Sequence, residues 1–303
     1  MSALPVFCAW APWWAAQELR SFLDQVRGVV QARFGEHAID EATGTVVVEQ
    51  TDCVLGLSNL AQTCRAADPA DWRLIIYNHV ARLDDFSPEV LAGRLANYEK
   101  LRPDLRVRVV GQQHLSSIDA VCDPLPLGLF VCLCVALEGA SCPVDRSYFS
   151  GWGVGQKEVM AAALANTLRH EPIAAVADDD TPGSHRTFSG DSLFATGHLL
   201  DFARTVPDIG PLGAVVTAPA AHTVMVCPVE LNEQFANESS VMLAASYIRY
   251  LAGPNSVSPN ALWWRPDFPL EGFARLDRQA FELVAPEPLH SLLQKGLRAK
   301  GDG

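Results

Sequence analysis

Two apolar segments, Leu212–Ala218 and Thr223–Val229, stand four residues apart across Pro219–His222. Runs of that length, rich in Val and Thr, read as strands, and a gap of that size is a hairpin loop. This hairpin puts antiparallel β structure in the C-terminal half. Helical periodicity elsewhere then sets the class. Leu19, Phe22, Leu23, Val26, Val29 and Val30 recur at helical spacing between Pro12 and Gly35, predicting an amphipathic helix over 13–34. Further helices are expected over 53–66 (capped by Asp52), 71–83, 87–100, 156–169, 191–204 and 232–251. Strands are expected over 45–50, 105–110, 114–121, 127–137, 172–177 and 261–265. The fold class is α+β, with antiparallel or mixed sheets packed against helices.

The Gly, Ser and Pro of EGASCPVDRSYFSGWGVG predict a linker over 141–155, between an N-terminal domain 1–140 and a C-terminal domain 156–303. LSNLAQTCRAA at 57–67 and ALANTLRH at 163–170 echo each other weakly, as two related subdomains would.

Composition narrows function by exclusion. With 49% apolar and 19% charged residues over 303 positions, the chain can build a sizeable core. Its net charge of −12 repels phosphate backbones and anionic lipid, so neither nucleic acid nor membrane is an expected partner. The longest apolar run, 124–137, is shorter than the roughly 20 residues that span a bilayer. The first residues lack the basic start of a signal peptide, which points to the cytoplasm, where the eight cysteines are expected as free thiols.

Four stretches in order, NLAQTCRAADPADWRLIIYNHVARL, FSGDSLFATGHLL, GPLGAVVTAPAAHTVMVCPV and SVSPNALWWR, resemble the YtpQ-like proteins of unknown function, a bacterial family with actinobacterial members. The resemblance spans 53–83 and 156–265. It implies a bacterial cytoplasmic origin and brings no activity with it. Where such relatives have a basic or polar pair after the hairpin proline, this chain has Ala220 and Ala221.

Candidate chemistry is sparse. Cys132 and Cys134 share a strand face, with Cys122 and Cys142 near in sequence, but zinc sites prefer cysteines in a tight turn; no metal and no cofactor are expected. A thiol nucleophile needs a histidine in reach. Cys53, at an expected helix start, is the leading thiol, and His79 and His222 are candidate bases. Ser192 is a weaker nucleophile candidate, since SGDS lacks the nucleophile-elbow pattern and suits a helix cap. The unpaired N–H groups at that helix start would form an anion pocket with Ser189, Asp191, Ser192 and His198. In the strand ending Trp263-Trp264-Arg265 one tryptophan must face away from the other, so Trp264 and Arg265 are expected to form a contact surface with His222. The leading reading is a non-catalytic binding protein of adaptor or immunity type, taking a protein partner or small molecule. A Cys or Ser hydrolase or transferase is the alternative, and homodimerisation is a further role.

Overall fold

The periodic apolar residues of the first helix do form one. Helix α1, Ala16–Phe34, buries Leu19, Phe22, Leu23, Val26, Val29 and Val30 along one stripe and ends at Gly35. The computed structural model describes residues 10–11, 14–48, 53–81, 88–115, 119–137, 140–176, 185–277 and 280–291. The chain divides into two compact units, residues 1–96 with 252–254, and residues 97–251 with 255–303.

In the first unit an antiparallel meander of β1 (His37–Asp40), β2 (Thr45–Val48) and β3 (Cys53–Gly56) accompanies α1, α2 (Ser58–Arg65), α3 (Trp72–Ala81) and α4 (Pro88–Leu95). Leu57, Leu60, Ile76 and Val80 complete its core. The helix expected from Cys53 starts five residues later. Val54 and Leu55 are claimed first by the open edge of β2, where they lie opposite Val47 and Val46. Trp14 packs against Phe22 and Trp72, with ring centroids 4.8 and 5.4 Å away, while Trp13 lies outside the described residues.

The helix expected over 87–100 breaks at Asn97. Its side chain accepts the Lys100 N–H and starts a separate turn, α5 (Tyr98–Leu101). The second unit then builds two sheets, and every strand pairing described in it is antiparallel. The smaller sheet joins β4 (Leu105–Gly111), β6 (Leu129–Leu137) and β5 (Cys122–Leu125), with β7 (Ala140–Pro143) also on β6. Of the strand expected over 114–121, the described residues show a 3-10 turn at Gln112–His114 at its start and an isolated bridge from Ala120 to Asp145; residues 116–118 lie outside the described residues.

The stretch expected as a linker holds β7 and a short helix, α6 (Arg146–Ser150), capped by Asp145. The division between units falls instead at 96/97. Side chains from later in the sequence explain this. Thr167 on α7 (Gln156–His170) accepts the Val107 N–H at 2.9 Å, and Thr196, on a 3-10 helix over Ala195–Asp201, accepts that of Val109 at 3.0 Å. Gly197 packs so tightly there that a Cβ would lie 2.6 Å from the Val107 carbonyl oxygen.

The larger sheet has the order β14-β13-β12-β10-β11-β9-β8. Its strands are β8 (Ala174–Val176), β9 (Arg186–Ser189), β10 (Ala214–Ala220), β11 (Thr223–Pro228), β12 (Ala261–Trp264), β13 (Glu271–Asp277) and β14 (Ala280–Leu283). The predicted hairpin is β10–β11. It is entered through Gly213 at φ 76°, where a Cβ would overlap the Trp264 carbonyl oxygen. Residues 186–189, 271–277 and 280–283, where the sequence pattern predicts no element, are strands. The helix expected over 191–204 is instead the 3-10 helix followed by one α-turn, α8 (Phe202–Thr205). Long helix α9 (Glu233–Ala252) contributes Phe235, Met242 and Leu243 to the core on one face of this sheet. The opposite face meets Phe202 and Leu199 together with Val109 and Leu129 of the smaller sheet.

Candidate functional site

The segment around Asp191 does fold onto the hairpin. Strand β9 pairs with β11, placing Ser189 opposite Thr223. The Ser189 hydroxyl and the Gly190 N–H both donate to the His222 carbonyl oxygen, at 2.9 and 3.1 Å. Ser192 closes a local turn rather than capping a helix, its hydroxyl accepting the Phe194 N–H at 3.2 Å, and Asp191 is exposed. The His222 ring is pulled below its ordinary pKa by burial.

The aromatic part of the expected surface is absent. Trp264 is 6% exposed and Trp263 is 0% exposed. Alternation along β12 does send them to opposite faces, but both faces of the seven-stranded sheet are covered. Trp264 meets Phe202 edge to face at 6.0 Å; the Trp263 indole N–H donates to the Leu212 carbonyl at 2.9 Å. Arg265 is also engaged internally, its guanidinium lying between the rings of Trp263 (3.8 Å) and Phe268 (4.1 Å) and paired with Glu271. Trp264 therefore does not face outward.

His198 is a core histidine. One ring nitrogen bonds the Thr205 hydroxyl and the other the Glu171 carbonyl, both at 2.8 Å. Burial lowers its pKa against the opposing pull of the Glu171 carbonyl. Ser189, Asp191 and Ser192 therefore gather at the hairpin tip without His198, Trp264 or Arg265.

The catalytic candidates fare no better. Cys53 begins a strand rather than a helix, and its side chain lies outside the described residues. His79 sits half-buried on α3. Burial raises the thiols of Cys64 to about 11 and Cys227 to about 12, leaving both protonated. Among the described residues, no group of three or more His, Cys, Asp or Glu is arranged to hold a metal ion, and no helix is long and apolar enough to cross a membrane.

Two features escaped the sequence reading. One is a pocket of about 300 Å³ between α9 and strands β13 and β14. Phe235, Leu243, Phe273, Phe281 and Leu283 supply its apolar wall. Its serines, Ser239 and Ser240, donate to the Ala236 carbonyl within their own helix. Asn232 caps α9 by accepting the Phe235 N–H at 2.8 Å and donates to Glu230 at 2.6 Å. Carboxylates stand nearby, since Glu238 and Glu230 both push the Cys227 thiol upward after burial has done so. The strand signal of EGFARLD and AFEL could have marked one wall.

The other is the inner face of the small sheet. Arg108 lies opposite Cys132 across the β4–β6 ladder, and Cys132 lies opposite Cys122 across β6–β5. Arg108 is 8% exposed; one guanidinium N–H donates to Ser141 at 2.6 Å, its Nε has no partner, and no described carboxylate pairs with it. The Cys134 thiol donates to the Cys132 sulfur at 3.8 Å, and Arg108 lies within electrostatic range. Together they draw the Cys132 thiol below the ordinary range despite burial, while that same hydrogen bond keeps Cys134 protonated. Strand alternation puts Arg108 on the face of β4 opposite Val107 and Val109, and that face is buried as well.

Comparison with family profiles, curated proteins and solved structures gives no match to this chain.

Proposed function

We propose that the protein is a non-catalytic binding protein of the bacterial cytoplasm whose partner is a cationic segment with an apolar anchor. The pocket between α9 and β13–β14 carries this reading. At about 300 Å³ it falls at the lower end of ligand clefts, and its wall is largely Phe and Leu. Because the serine and asparagine side chains there already have partners, an incoming group gains chiefly by burying apolar surface. Glu230 and Glu238 at that end of α9, with the net charge of −12, favour a basic partner and speed its encounter. The described cysteines are free thiols, which suits a reducing compartment.

The test uses a fluorescent peptide of Leu and Lys residues, followed by anisotropy. Ala236→Trp, which fills the pocket from an exposed lining position, is expected to weaken binding at least tenfold, and raised salt to weaken it in the wild type. Equal binding by wild type and A236W, or equal binding of the Glu-for-Lys peptide, overturns the reading.

A further inference from the structure

The small-sheet thiols carry an inference that goes beyond the binding reading and involves a different part of the unit. Three cysteines and one arginine share a strand face, and strand geometry decides which sulfurs can join. Leu133 donates its N–H to the Val121 carbonyl at 2.9 Å, so the Leu133 amide points toward β5 and that of its neighbour Cys132 points toward β4. Cys122 and Cys132 therefore occupy a non-hydrogen-bonded rung, where antiparallel Cα atoms approach to about 4.5 Å. That lies within the roughly 4.4–6.8 Å that a disulfide spans. Cys132 and Cys134 hydrogen-bond as thiols, but residues two apart on one strand are separated by about 6.6 Å with parallel Cβ directions. A disulfide needs Cβ atoms about 3.8 Å apart, so that pair cannot close without moving the backbone. Cys142, opposite Val135, belongs to the other face by alternation.

We propose that Cys122 and Cys132 form a reversible disulfide, making this face a thiol–disulfide exchange site for low-molecular-weight disulfides of the glutathione class. The three neighbours of Cys132 divide the work. Cys122 is half-buried and reaches solvent, whereas Cys132 and Cys134 are fully enclosed. Exchange therefore begins at Cys122, whose thiolate displaces one sulfur of the small disulfide, leaving a mixed disulfide and releasing one small thiol. The Cys132 thiolate then attacks the Cys122 sulfur. The Cys122–Cys132 bond forms, the mixed bond breaks, and the electron pair leaves on the second small thiolate, which takes a proton from water. Two protein thiols are oxidised and one small disulfide is reduced to two thiols. Arg108 and the Cys134 S–H favour the thiolate of Cys132 when its proton leaves, and the buried guanidinium then gains the negative charge it otherwise lacks.

Native protein incubated with oxidised glutathione, alkylated and mapped by mass spectrometry tests this. Wild type is expected to yield the Cys122–Cys132 disulfide with no lasting glutathionyl adduct. Cys132→Ser is expected to accumulate the adduct at Cys122, and Cys122→Ser to leave Cys132 reduced. Circular dichroism of each oxidised sample establishes that the chain is folded, and the wild-type map alone decides the case if a variant is not. A wild type that stays reduced, that accumulates the adduct at Cys122, or that pairs Cys132 with Cys134 overturns the proposal. So does a disulfide that appears only in unfolded chain. Peptide binding by oxidised protein reports separately on the pocket, so either reading can fail alone.

Discussion

The two sheets of the larger unit bury polar groups in opposite ways. In the seven-stranded sheet, β10 and β12 are buried at every position and present Ala, Val, Leu, Thr, Pro and Trp to apolar layers on both sides. In the four-stranded sheet, β4 is equally buried but carries Arg106 and Arg108. Arg106 has a carboxylate, Glu171, at 2.7 Å; Arg108 has only Ser141 and thiols. The first sheet is a packing device. The second holds an uncompensated cation, a costly arrangement that packing alone does not call for.

Four measurements put this contrast under strain. The largest effect is expected from Trp263→Ala in the apolar sheet, which empties a fully buried site and removes the indole bond to Leu212; it should cost about 3–5 kcal/mol in denaturant unfolding. A loss under 1 kcal/mol would mean that the sheet is less tightly layered than described. Next, Thr196→Val beside the small sheet orphans the Val109 N–H at nearly constant volume, for about 1–3 kcal/mol. Arg108→Met should leave stability unchanged or raise it by about 1 kcal/mol, while slowing alkylation of Cys132. A strongly destabilised R108M would show the guanidinium to be structural.

The smallest effect is that of pH. His114, His198 and His222 all titrate below 6.5 in the folded chain, chiefly because burial disfavours their charged forms. Their contribution is complete above about 6.5 and declines below it, because the unfolded chain takes up protons first. Asp40, Asp145 and Asp208 are held below 3.8, so a comparison of urea midpoints at about pH 7.5 and 5.5 isolates the histidines. His222→Ala and His114→Ala should each flatten that slope, reporting on the large and small sheets in turn.

Much of the α+β fold was legible, and the reasons are local. The α1 stripe and the β10–β11 hairpin are written in periodicity and turn spacing, which do not depend on distant partners. Strand β3 was not, because whether CVLG joins a helix depends on the free edge of β2. The tryptophan surface failed for the same reason. Alternation says that Trp263 and Trp264 face apart, but only the second layer decides whether facing apart means facing water. The boundary at 141–155 misjudged turn residues as separators, when β7 returns directly to β6. Cys132 and Cys134 were seen as a pair; their link to Cys122 and Arg108 is a matter of register between strands, which no local pattern encodes.

Thr167 and Thr196 have a consequence beyond their hydrogen bonds. Each accepts one outward amide of β4, and Thr196 returns its proton to the Val109 carbonyl at 3.2 Å. A foreign peptide arriving along that border finds its docking groups already taken, so the small sheet cannot be lengthened there by another copy of the chain. Two hydroxyls thereby guard against runaway self-association.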